Sequence, residues 1–137
     1  MTVSEYIVNF LKNYDGIEID TNHVPDGSDK YGLFKSPSRD IKDFNDSSYE
    51  ITEHYQFLAR QKAVSKSERK EADEWLEDLT YWMDDYPYNN SFPPLDKNRE
   101  VIGLSITGCP YPIEANDKES LYQIQLSITY IREREEI

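Results

Sequence analysis

The residues able to do chemistry in this chain are few once the abundant carboxylates are set aside. Cys109 is the one cysteine, flanked by Gly108 and Pro110, with neither His23 nor His54 near it in sequence. Alone, such a thiol reads as a packed or loop residue rather than a nucleophile. The two histidines do not form a short ligand pair, and a single cysteine cannot build a structural zinc site. Asp43, Asn45 and Ser47 open like a calcium loop. Ser48 then stands where the sharp turn needs glycine, and His54 where the loop needs its closing glutamate. Glu74, Glu77 and Asp78 lie close together and resemble an acid–base pair, but a solvated helix face accounts for them. There is no Gly-x-Ser-x-Gly elbow and no glycine-rich phosphate loop. No catalytic residue, cofactor or metal is expected, and the chain does not read as an enzyme.

The strongest pattern is a strand from Ser120 to Ile131. Tyr122, Ile124, Leu126, Ile128 and Tyr130 fall on one face, and Gln123, Gln125, Ser127 and Thr129 on the other. Residues 49–63 alternate in the same way. Tyr49, Ile51, Tyr55, Phe57 and Ala59 share a face that Glu53 interrupts; Glu50, Thr52, His54, Gln56 and Arg60 lie opposite. A plain solvent face usually carries more Lys and Glu. The uncharged polar side is therefore expected to meet a protein partner, with Glu50, Thr52, His54, Gln56, Arg60, Gln123, Gln125 and Thr129 as its candidate contacts.

Other elements must position these strands. Val3, Tyr6, Ile7, Phe10, Leu11 and Tyr14 make the apolar stripe of a helix over 2–15, with Thr2 and Glu5 as a capping box and Gly16 as its stop. Ser65 and Glu68 cap a second helix whose stripe is Ala72, Trp75, Leu76, Leu79, Trp82 and Met83. It is expected to end near Tyr86, because Pro87 follows. Short strands are expected over 17–24 and 31–37, and a strand over 100–107 with Ile102, Leu104 and Ile106 inward, broken by 108–112. Residues 38–48 and 88–99 read as loops. The order α-β-β-β-α-β-β predicts a mixed α+β domain over 1–137, with two helices on one face of a mainly antiparallel sheet.

The formal charge of −12 excludes a grip on phosphate backbones and disfavours anionic membranes. No apolar run is long enough to span a bilayer. The N-terminal Met-Thr-Val-Ser-Glu has no basic segment followed by an apolar one, so no signal peptide is expected. Eleven tyrosines favour half-buried and interface positions.

Several stretches resemble the small tail-terminator proteins of tailed bacteriophages and prophages, also called minor capsid or tail completion proteins. They are the helix from Val3 to Tyr14, Tyr31-Gly-Leu-Phe-Lys-Ser-Pro37, Tyr55-Gln-Phe-Leu-Ala-Arg-Gln-Lys-Ala63, Trp75-Leu-Glu-Asp-Leu-Thr-Tyr-Trp82 and Tyr122-Gln-Ile-Gln-Leu-Ser-Ile-Thr-Tyr130. They span nearly the whole chain, although each is a loose pattern. The segments 87–95 and 38–48 match nothing characteristic. The resemblance implies a non-enzymatic ring, usually a homo-hexamer, that needs no cofactor. Such a ring docks on the finished tail tube, stops its polymerisation and offers a surface to head–tail connector or neck proteins. It implies a place in the virion tail or neck, after assembly in the host cytoplasm, with DNA passing through without specific binding. An anionic wall fits that passage. The alternatives are another head–tail connector or neck protein, and an acidic inhibitor that mimics DNA.

Overall fold

The computed structural model describes residues 1–135, and its chain runs α-β-β-β-α-β-β with one further short strand. Helix α1 covers Val3–Leu11; strand β1 covers Ile19–Thr21, β2 Lys30–Asp43 and β3 Ser48–Gln61; helix α2 covers Lys66–Asn89; β4 covers Arg99–Ile106, β5 Tyr111–Ala115 and β6 Ser120–Glu133. The fold is mixed α+β, as the periodicities require. The sheet order is β1-β2-β3-β6-β4, and β5 pairs with β6 beyond the end of β4. Among the described strands only β1 and β2 run parallel.

The two long strands β3 and β6 form the centre, paired over their full length from Ser48–Glu133 to Gln61–Ser120. Their alternation sends Ile51, Tyr55, Phe57 and Ala59 to one side, with Tyr122, Ile124, Leu126, Ile128 and Tyr130 beside them, all buried. Against that face lie Val3, Tyr6, Ile7, Phe10 and Leu11 of α1 and Ala72, Leu76, Leu79 and Met83 of α2. Aromatic rings join the layers: Phe10 lies 4.8 Å from Tyr86 and 5.2 Å from Trp82, and Tyr31 stacks on both Trp75 and Phe57. Ring pairs at such separations add to the stabilisation from burial alone. Trp75 and Trp82 thus serve the core, as their place on the apolar stripe predicts.

The helix starts follow the sequence signals. Thr2 accepts the Glu5 N–H at its side chain, and Ser65 with Glu68 forms the reciprocal capping box. The ends differ. α1 stops at Leu11, before the expected end at 15, and turns through Asp15 and Gly16, both at positive φ. α2 runs through Pro87 to Asn89. Within its last turn the chain tolerates the proline, and the Asn90 N–H bonds Tyr86 O at 2.9 Å.

Four sequence expectations need correction. Residues 38–43 are not loop but the outer half of β2, which passes Pro37 through a bulge between Lys35 and Arg39 and pairs on to Asp43–Tyr49. Alternation is invisible there because both faces of an exposed arm are polar. Ile102 is not inward: a bulge between Val101 and Gly103 shifts the side-chain phase, so Val101 is buried and Ile102 is 44% exposed. The break at 108–112 holds the start of β5. The strand expected over 17–24 is only three residues long.

Candidate functional site

The sheet face away from the helices carries every residue expected to meet a partner. Among the described residues no second layer covers it. Thr52 lies beside Thr129, His54 beside Ser127, Gln56 beside Gln125 and Glu50 beside Ile131 across the β3–β6 ladder. Gln125 is exposed, Ser127 is buried, and the others are half-buried. At one end the face is partly roofed. Gly32 leaves room for the His23 carbonyl oxygen, which a Cβ there would meet at 2.3 Å. Arg60 donates to Pro25 O at 3.2 Å and lies 3.5 Å from the Glu119 carboxylate. Arg60 is therefore committed to holding the 22–30 loop, whereas the other candidates remain at the open surface.

These side chains bond mainly to one another. The Thr52 and Thr129 hydroxyls are 3.0 Å apart. His54 bridges three strands, with Nδ1 3.0 Å from Ser127 Oγ and Nε2 3.0 Å from Asp40 Oδ2. A carboxylate only accepts, so the Nε2 carries a proton; in the neutral ring, Nδ1 then accepts from the serine hydroxyl. Gln123 donates to Tyr111 Oη at 2.9 Å.

Asp40, His54 and Ser127 are the residue types of a hydrolase triad, a juxtaposition that sequence spacing conceals. The surroundings do not support that chemistry. Ser127 sits inside a central strand, paired with His54 on one side and Ser105 on the other, so the ladder engages its backbone. An oxyanion hole, the largest contribution to acyl-transfer catalysis, is built from free N–H donors, and the ladder engages the strands on both sides of Ser127. The Asp40 side chain is 78% exposed, so water screens it from the imidazole. The adjoining depression, lined by Ser36, His54, Gln56, Thr107 and Gln125 among others, measures only about 140 Å³. The chain of bonds acts as a cross-strand ladder.

One residue step inward, the same strand holds the most constrained polar group. Glu53 is 5% exposed within the core face. The Tyr55 hydroxyl donates to its Oε1 at 3.0 Å, the Tyr130 hydroxyl donates to its Oε2, and Lys35 Nζ lies 3.1 Å away. Burial works to raise its pKa; the Tyr130 hydroxyl, the Lys35 ammonium and the Tyr55 hydroxyl outweigh that and hold the carboxyl below its ordinary value. Both tyrosines are pushed upward, by burial first and by the adjoining carboxylate after it. This is a structural clamp, saturated by its own fold.

A cleft of about 900 Å³ lies between the end of α1, the start of α2 and the β1–β2 edge. Its floor is Tyr31, Ala72 and Trp75, and its rim mixes Lys12, Lys30 and Lys62 with Asp15, Glu18, Asp20 and Glu71. The floor's polar atoms are already in use: Gln61 donates to Tyr31 Oη and the Trp75 indole donates to Asp15. The polar groups of this floor thus serve the fold, whereas a built small-molecule site aims a few of them at the ligand. Cys109 is exposed in the gap between β4 and β5. Among the described residues, no group of three or more His, Cys, Asp and Glu side chains is placed to hold a metal ion. No described helix is long and apolar enough to cross a membrane. No family model matches the chain, and a search of curated proteins finds no matching relative.

Proposed function

We propose that this chain is a tail terminator: a protein that closes into a ring, caps the tail tube, stops its growth and presents a joining surface to the neck. The observation that carries the reading is the open sheet face. The middle of two strands of fourteen residues each, Thr52, His54 and Gln56 beside Gln125, Ser127 and Thr129, presents a polar surface with no Lys, Arg, Asp or Glu, partly bonded within itself, where a solvated face would carry lysine and glutamate. Such a surface sheds its water at moderate cost and fits protein–protein contact better than catalysis. The element order agrees with the order the resemblance implies. The net charge of −12 discourages DNA from adhering to a wall made of this protein.

The DNA-mimic alternative draws less support. Carboxylates on α2 are interleaved with cations, with Lys62 bonded to Glu68 and Lys70 near Glu74, which breaks a phosphate-like array. The deciding experiment is electron microscopy of tails assembled with and without the protein. Overlong tubes are expected in its absence, and tubes of normal length would overturn the reading.

A further inference from the structure

The sheet has two open edges at the same height, and they are unlike. β2 loses its outer neighbour after Leu33, so Lys35–Asp43 bonds only to β3. This edge carries Lys35, Pro37, Arg39, Asp40, Lys42 and Asp43. Charges and proline are the means by which an edge avoids indiscriminate pairing. On the other side Leu95 bridges Arg99, and beyond that point β4 bonds only to β6. From Val101 to Ile113 that edge has no charged residue, and Ile102, Tyr111 and Ile113 are exposed along it. A charge-free, partly apolar edge is a template for another strand.

The registers set the two edges level. One row across the sheet reads Glu100, Ile131, Glu50, Lys42; the next reads Val101, Tyr130, Ile51, Ile41; a third reads Leu104, Ile128, Glu53, Arg39. Four strands make each row, and each is antiparallel to its neighbours. A second copy, turned about an axis along the strands without any rise, therefore brings its β2 antiparallel to β4. Backbone polarity agrees. The Thr107 N–H bonds Gln125 O, the Glu133 N–H bonds Asn98 O and the Phe44 N–H bonds Ser48 O. Strand alternation then points the backbone groups of Val101 and Leu104, and those of Arg39 and Ile41, out of the sheet. Side chains agree as well. Val101 and Ile41 are apolar and share the helix-side face. Glu100 and Lys42 are exposed on the open face, carry opposite charge, and form no ion pair among the described residues; Lys42 rests 5.9 Å from the Phe44 ring centre.

We propose that copies of this chain join edge to edge, β4 of one pairing antiparallel with Lys35–Asp43 of the next, with Glu100 facing Lys42. The proposal rests on the self-association read above and names its seam. The two edges differ, so the contact is heterologous and closes into a ring rather than a two-fold dimer. At the height of β5 the edge of β2 is already occupied by β1, which confines the seam to β4.

A disulfide trap tests it. Across this seam residues 100 and 42 form a non-hydrogen-bonded pair, with Cα atoms about 4.5 Å apart, a spacing a disulfide can bridge. In a Cys109→Ser background, Glu100→Cys combined with Lys42→Cys should give a ladder of covalent multimers on mild oxidation, and each single variant only monomer. A dimer from Glu100→Cys alone, or no product from the double variant, overturns the seam. Ile41→Pro supplies a second reading, since it removes an outward N–H that no strand of its own chain uses. That variant should keep its circular dichroism and lose the ring in native mass spectrometry; rings from a folded Ile41→Pro chain overturn the proposal. So does an unmodified chain that stays monomeric with and without tube ends. Rings formed by the double variant that give no cross-linked product on oxidation refute the seam and leave the capping role standing, whereas normal tail lengths without the protein refute the capping role alone.

Discussion

Glu53 and His54 are consecutive on β3, both titratable and both bonded across strands, yet their situations are opposite. Glu53 points into the core, where Tyr55, Tyr130 and Lys35 surround its carboxylate. His54 points to the open face, where Ser127 and the exposed Asp40 hold its ring. Inside, a polar group must be bonded or it destabilises the fold, because water cannot replace a lost partner. Outside, the same kind of bond only orders a surface that water would otherwise satisfy. The two faces of one strand thus divide the labour: one fixes the fold, and the other is free to be specified for a partner.

The largest effect should come from testing the two faces side by side. Phe57→Ala removes a fully buried ring stacked on Tyr31 and should cost about 3–5 kcal/mol in urea denaturation. Gln56→Ala, one residue away on the open face, should stay within about 0.5 kcal/mol. A loss above about 2 kcal/mol for Gln56→Ala would erase the distinction between the faces. Glu53→Ala comes next. It strands two buried tyrosine hydroxyls, at about 1–3 kcal/mol each when unpaired, and should lower stability by about 2–4 kcal/mol. Glu53→Gln keeps an acceptor and should recover part of that loss.

Acid titration sharpens the contrast without any substitution. The Glu53 pKa is lower in the folded chain than in the unfolded one. Its contribution is therefore fully present above the ordinary glutamate pKa, about 4.3, and is lost as the pH falls through the lowered folded value. Stability should fall more steeply on acidification in the wild type than in Glu53→Gln, when midpoints are compared from pH 6 downward. Parallel curves would mean the clamp is not what holds the carboxylate ionised.

Most of this division could be read from residue types. Period-two alternation gave β3 and β6 their faces, and Ser65 with Glu68 marked the start of α2, because both signals are local. What stayed hidden was set by partners distant in sequence. Glu53 looked like a flaw in an apolar face; only the pairing of β3 with β6 brings Tyr130 to it. Asp40 and His54 lie on different strands of a hairpin whose outer arm has no apolar side, so no periodicity marked residues 38–43 as strand. The bulge after Val101 turned Ile102 outward because the inserted residue breaks the alternation there, while Leu104 stays inward as its spacing predicts. The residues of the open face were legible as a group by their alternation, but their bonds were not, nor was the commitment of Arg60 to the Pro25 carbonyl.

The smallest expected effect bears most directly on the outer face. If His54, Ser127 and Asp40 form only a surface ladder, each link should be worth what an ordinary cross-strand polar pair is worth, about 0.2–1 kcal/mol. A double-mutant cycle with His54→Ala and Ser127→Ala isolates that link, because each single change removes the bond without opening a core cavity. A coupling near 0.5 kcal/mol would leave the face energetically spare, so that its uncharged composition must be explained by something other than stability. A coupling above about 2 kcal/mol would mean that the open face holds the sheet together as the core does. Stability alone would then account for its residues, with no partner required.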